Sequence, residues 1–301
     1  MKPIIKQSNK KAAFTIVELL TVMSIIVILI GLLVPSLNMA KRYAKKVRQR
    51  AQFHSIDAAI ELFGHEFDGY PPSSGGDPDD RDYCGAMKLC EAMMGQDLLG
   101  FHPSSAFRRN GTLDGSPATR LYDLDQAANP LLYDNNLKTR KGPYLPPESA
   151  NAYRLGYMYT TLGDFLPVSF VLCDVYTRQM PTGQRSGMPI LYYKADTANN
   201  LHDPNNLPPN FYDNAGNIYN FWDNQKLIML GKPWVVGGAG TPEKQHALLD
   251  PTRFYRSTES HKITTAHRPY RADSYILLSA GYDGEYGTAD DVFNFDWKHQ
   301  D

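Results

Sequence analysis

Between Phe14 and Leu37 the chain carries one charged residue, Glu18, in a run that is otherwise apolar or lightly hydroxylated. As a helix these 24 residues are about 36 Å long at about 1.5 Å per residue, more than the roughly 30 Å of a bilayer's hydrocarbon core. The segment therefore reads as one membrane-spanning helix with the rest of the chain outside it. The h-region of a secretory signal peptide is shorter, about 7 to 15 residues. A plain anchor has the length but no reason to hold an acid: a carboxylate deep in a bilayer costs roughly 2.5 to 3.5 kcal/mol and needs a partner. Glu18 thus marks the segment as functional.

The junction Lys10-Lys11-Ala12-Ala13-Phe14-Thr15-Ile16-Val17-Glu18 resembles the N-terminus of type IV pilins and of the pseudopilins of type II secretion systems. The resemblance implies that a basic leader, residues 1–13, is removed by prepilin peptidase between Ala13 and Phe14, and that the new Phe14 amine is methylated. It also implies that Glu18 meets that amine, on a neighbouring subunit, when subunits stack into a fibre. The family usually has Gly before the cut, and this chain has Ala13. Pro35 falls where pilin helices commonly carry a proline.

Charge is unevenly spread. Residues 1–52 hold ten Lys or Arg and one acid, a balance of +9, which leaves 21 bases against 31 acids, or −10, in the remainder. An acidic head argues against nucleic acid as a partner. Four lysines precede the apolar run (Lys2, Lys6, Lys10, Lys11) and six bases follow it (Lys41, Arg42, Lys45, Lys46, Arg48, Arg50). By itself that count places the C-terminal side in the cytoplasm; the resemblance implies the reverse, an inner-membrane protein with a periplasmic head.

After Pro35 the apolar positions change to a helical period: Leu37, Ala40, Ala44, Val47, Ala51, Ile56, Ala59, Ile60, Phe63 and Phe67, the stripe of an amphipathic helix. Asp68-Gly69-Tyr70-Pro71-Pro72 should stop it. The expectation is one helix over 15–67, bent near Pro35, with residues 14–37 as membrane and assembly segment and 38–67 continuing into the head. Ala58-Ala59-Ile60-Glu61-Leu62-Phe63 followed by Asp68-Gly69-Tyr70-Pro71 is similar to the helix end of major pseudopilins.

The head, 68–301, contains two loop-rich stretches, 73–187 and 196–273, which read as insertions. Helices are expected at Cys84–Leu99 and near Gln225–Leu230. Strands are expected at Pro189–Ala195, Ser274–Ala280 and Val292–Phe295. Ser169–Cys173 is a strand or a buried helix, which periodicity does not decide. The fold class is α+β: a long N-terminal helix packed on a small antiparallel sheet, the pilin-like layout.

A second site joins the last two expected strands: Gly281-Tyr282-Asp283-Gly284-Glu285-Tyr286-Gly287-Thr288-Ala289-Asp290-Asp291. Glycines allow tight turns, and Asp283, Asp290 and Asp291 offer hard oxygen donors of the kind calcium takes six to eight of. Zinc would want His or Cys, which the loop lacks. The spacing is not that of an EF-hand. The loop resembles the calcium-binding hairpin loop of the major pseudopilin, which implies Asp283, Asp290 and Asp291 as ligands, supplemented by carbonyls near Leu278, Ser279 or Tyr286. The competing reading is a solvated acidic turn.

No His-Glu-x-x-His, Gly-x-Ser-x-Gly or Walker loop is present, so no enzyme is expected. Cys84 and Cys90 are a possible disulfide in an oxidising compartment, although their spacing on a helix matches faces poorly, and Cys173 makes the count odd. The 19 tyrosines fall mostly in expected loops and suit a contact surface. The resemblance thus implies a structural subunit of a type II secretion pseudopilus, with itself, other pseudopilins, the inner-membrane secretion platform, prepilin peptidase and the lipid bilayer as partners. The alternatives are a type IV pilin for adhesion, DNA uptake or motility, and a pilin-anchored enzyme or carbohydrate-binding protein whose activity lies in the insertions.

Overall fold

The computed structural model describes residues 15–122, 130–207, 216–237, 241–263 and 266–297. The chain forms two compact units, Met1–Ala44 and Lys45–Asp301. A single helix, α1, runs Ile16–Phe67. Within the first unit its apolar side chains, among them Ile16, Leu20, Val27 and Leu32, are exposed. Its hydroxyls turn back on the helix: Ser24 Oγ donates to the Leu20 carbonyl and Ser36 Oγ to that of Leu32, both at 2.9 Å, and Thr21 does the same to Val17. Polar groups satisfied within their own helix suit a surrounding that offers no water. Pro35 lies inside α1, where it removes one backbone donor, and the helix continues through it. At the other end Asp68 adopts φ 56° and the Gly69 amide reaches the Gly64 carbonyl at 3.2 Å, the left-handed Schellman ending that stops a helix.

The second unit adds α2 (Gly85–Met94), β1 (Thr112–Leu113), β2 (Ser116–Arg120), α3 (Pro130–Thr139), α4 (Pro147–Ala150), β3 (Ala152–Arg154), β4 (Phe170–Leu172), β5 (Arg178–Gln179), β6 (Arg185–Ser186), β7 (Leu191–Lys194), α5 (Gln225–Met229), α6 (Pro251–Thr258), β8 (Tyr275–Ser279) and β9 (Val292–Phe293). β7, β8 and β9 form a three-stranded antiparallel sheet in that order, with Leu191 opposite Leu278 and Leu278 opposite Phe293. The remaining strands make separate two-stranded ribbons, β1–β2, β3–β4 and β5–β6. The structure is thus mixed α+β, a long apolar N-terminal helix with small antiparallel sheets. The three expected core strands are present, each shorter than its apolar run, and Ser169–Cys173 resolves as the strand β4.

The central sheet is covered on both faces. Tyr192, Tyr275, Leu277 and Val292 join Phe53, Ile56, Ile60 and Phe63 of α1 in one core, together with Leu89 and Met93 of α2. Leu191, Tyr193, Ile276, Leu278 and Phe293 point to a second core with Tyr219, Phe221, Leu248, Phe254 and Tyr286 from the later insertion and the acidic loop. Burial of alternate residues on opposite faces explains why β8 is buried throughout and apolar up to Ser279.

Several expectations are corrected. α1 buries Gln49, Gln52 and Phe53, whereas Val47 and Ala51, read as part of the stripe, are exposed. Gln49 Oε1 accepts from the Val175 amide, and Gln52 Nε2 donates to the Cys173 carbonyl, both at 2.9 Å. These amides replace a sheet partner for backbone that leaves β4. α2 ends at Met94 rather than Leu99, because Gly95 and Leu98 take φ of 82° and 66°, which a right-handed helix excludes. Cys84, Cys90 and Cys173 are all free and buried; Cys84 packs in the insertion-side core and Cys90 in the helix-side core. Tyrosine is largely a core residue: Tyr83, Tyr192, Tyr193, Tyr219, Tyr275 and Tyr286 are buried.

Candidate functional site

At the start of α1, Thr15 and Glu18 bond reciprocally. The Thr15 amide donates to Glu18 Oε2 at 2.9 Å, Thr15 Oγ1 donates to the same oxygen at 2.7 Å, and the Glu18 amide donates to Thr15 Oγ1 at 3.2 Å. This is a capping box, with Thr at the N-cap and Glu three residues on. It satisfies amides that a helix start leaves open, and it places the carboxylate at the positive end of the helix dipole. The pattern Thr-x-x-Glu is legible in the sequence, and it gives Glu18 an intrahelical partner besides the one that the resemblance implies. The expected cut between Ala13 and Phe14, and the lysines before it, lie outside the described residues. From Ile16 onward α1 is long and apolar enough to cross a membrane.

The acidic loop connects β8 to β9. Gly281 takes φ 66°, and a Cβ there would lie 1.9 Å from the Asp290 carbonyl oxygen; only glycine lets the two ends of the loop approach this closely. Asp283 spends both carboxylate oxygens inside the loop: Oδ1 accepts from the Glu285 amide and Oδ2 from Thr288 Oγ1, each at 2.8 Å. Asp291 is buried. Its Oδ2 accepts from the Gly287 amide at 2.8 Å, while Oδ1 is buried with no hydrogen bond. Burial, together with the charges of Asp290 and Glu285, pushes the Asp283 carboxyl up. Burial pushes Asp291 well above the usual carboxylate range, with Asp283 and Asp290 adding to it.

The carbonyls are engaged as well. Those of Tyr282 and Asp283 accept from the Arg178 guanidinium at 2.7 and 2.8 Å, and that of Tyr286 accepts from the Leu248 amide at 2.9 Å. Leu278 and Ser279 belong to the β8 ladder, and Ser279 Oγ donates to Asp174 Oδ2 at 2.9 Å. Among the described residues no three His, Cys, Asp or Glu side chains are gathered to hold a metal ion. The loop's chemistry is right for calcium; Asp283 and the carbonyls of Tyr282, Asp283 and Tyr286 are engaged within the protein, while Asp291 Oδ1 is left unpaired. Asp283, Asp290 and Asp291 are brought into mutual repulsion, not into one ligand set.

Sequence reasoning missed the groups that surround this loop. Asp174 is buried beside it, accepting from the Tyr176 and Met188 amides at 3.1 Å as well as from Ser279, and burial pushes its carboxyl up to about 7. Arg178 lies over the Trp234 ring, 3.9 Å from its centroid. Nothing in the local sequence marks either residue, since both act across more than a hundred residues of chain.

Elsewhere, buried polar groups anchor loops. Lys88 Nζ meets Ser74 Oγ and the Gly76 carbonyl at 2.6 Å and the Ser74 carbonyl at 2.8 Å; burial brings its amine down to about 8. Glu91 accepts from Tyr83, Tyr122, Gln96 and Ser105. A cavity of about 410 Å³ is lined by Leu162, Phe165, Met229 and Leu230, with Lys226 and Lys244 at its polar side. No protein-family model matches the chain, and neither a curated protein nor a solved structure matches it.

Proposed function

We propose that the protein is a structural subunit of a pilin-like fibre of the type II secretion pseudopilus kind. In this reading prepilin peptidase cuts before Phe14, the freed amine is methylated, and the subunits polymerise through the first part of α1 with their heads on the periplasmic side of the inner membrane. The observation that carries the reading is the exposed apolar face of α1 from Ile16 to Val34, which holds a single carboxylate set within the first turn. A surface of that size needs lipid or other helices around it. In the membrane the subunit is held by lipid, and in the fibre the same side chains pack against copies of themselves. The capping box keeps Glu18 at the helix entrance, where the Phe14 amine of the next subunit would complete its charge. Self-association, the secretion platform and other pseudopilins are the partners, and no catalytic step is assigned. Calcium is not required by this reading.

Expression together with a prepilin peptidase and a type II assembly platform, followed by shearing and electron microscopy, tests it. The wild-type chain is expected to yield fibres, and Glu18→Ala to reduce them at least about tenfold, the change that roughly 1.4 kcal/mol per contact produces. Equal fibre yield from Glu18→Ala would contradict the role given to the carboxylate.

A further inference from the structure

The acidic loop carries Asp283, Glu285, Asp290 and Asp291 within nine residues, a density of charge that ordinarily calls for a bound cation. Two cations of the protein reach this loop, Arg178 at its backbone and Lys232 at Glu285. Arg178, on β5 in the first insertion, directs two N–H groups at the Tyr282 and Asp283 carbonyls. Its guanidinium stacks on Trp234 from the second insertion. Gly284 closes the stack: at φ 71°, a Cβ there would lie 2.7 Å from Arg178 Cζ and 2.6 Å from Trp234 Cη2. Loop backbone, guanidinium and indole are therefore in contact, an arrangement in which Arg's planar fork and its affinity for aromatic faces are both used. Lys232 Nζ reaches Glu285 Oε2 at 2.8 Å. The same stretch of the second insertion supplies His246 Nδ1 to the Tyr286 amide at 3.2 Å and the Leu248 amide to the Tyr286 carbonyl.

We infer that the last hairpin is closed by the protein's own cations, Arg178 on the Tyr282 and Asp283 carbonyls and Lys232 on Glu285, so that its fold needs no metal. The two insertions thereby gain a structural role, each delivering one side of a clamp that holds a loop whose acids repel one another. Arg178 is the central piece, because a bidentate guanidinium fixes direction as well as charge. The inference stands apart from the fibre reading, which concerns the other end of the chain.

Thermal melting of the full chain in detergent tests it, in excess chelator and in excess calcium, for the wild type, Arg178→Ala and Arg178→Lys. The wild type is expected to melt at the same temperature in both media. Arg178→Ala is expected to melt about 5 °C lower in chelator, a shift of the order that losing charge-assisted hydrogen bonds produces in a domain of this size. Arg178→Lys, which keeps the charge without the fork, should fall between. A wild-type melting temperature that drops on chelation overturns the inference, and so does an Arg178→Ala variant that melts with the wild type. The wild-type comparison decides the point even if the variant fails to fold.

Discussion

The buried acids of the head are expected to make its stability depend on pH. The carboxyls of Asp174 and Asp223 are both pushed up to about 7 by burial, from an ordinary value of 3.8. An acid whose carboxyl is raised in the folded state binds its proton more tightly there than in the unfolded chain, so folding is favoured at low pH. That contribution is fully present below about 4 and is lost as pH rises toward about 7. Asp77 works in the opposite direction: hydrogen bonds from Arg81 and from the Arg109 and Asp79 amides outweigh its burial and lower it, so its share is lost in acid. Asp174→Asn keeps an acceptor for the Tyr176 and Met188 amides while removing the charge. Its melting temperature relative to wild type is therefore expected to be several degrees more favourable at pH 8 than at pH 5, by roughly 2 to 4 °C per kcal/mol. Equal differences at the two pH values would show that Asp174 does not titrate between them.

Helix α1 is the most legible element, because hydrophobicity, period and the stop at Asp68-Gly69 all point the same way and all act locally. The strands β7, β8 and β9 are legible for a related reason: each coincides with an apolar run bounded by turn residues. What the sequence hides is long-range. Gln49 and Gln52 look like solvent-facing positions of an amphipathic helix, yet they bond backbone more than a hundred residues away. The ribbons β1–β2, β3–β4 and β5–β6 are built of strands two to five residues long, too short to show a period. Asp283, Asp290 and Asp291 are visible as an acidic loop, but the guanidinium that takes its carbonyls lies about a hundred residues upstream. A test at this scale is Gln52→Ala, which leaves the Cys173 and Ser149 carbonyls without their donor. It is expected to destabilise the head by about 2 kcal/mol, read as a lower denaturation midpoint with an unchanged slope; a loss well under about 0.5 kcal/mol would mean that water replaces the amide.

At the scale of the molecule, the loop-rich stretches 73–187 and 196–273 make up most of the second unit. An antiparallel sheet of three strands commonly leaves one face to solvent; here α1 covers one face and residues 219–255 supply aromatic rings to the other. The same stretch of chain grips the acidic loop, so covering the sheet and closing the hairpin are one structural solution. The first unit of the chain is of another kind, a helix whose apolar side chains are exposed and whose one acid sits in its first turn. The bases on either side of its apolar run, four before and six after, argue by count alone for a cytoplasmic head, whereas a pilin-like subunit requires a processed N-terminus and an exported head. Mass spectrometry of the protein extracted from membranes meets that question directly. The account predicts a first residue of N-methylated Phe14; an N-terminus at Met1, or one produced by cleavage near Ser36, would contradict it.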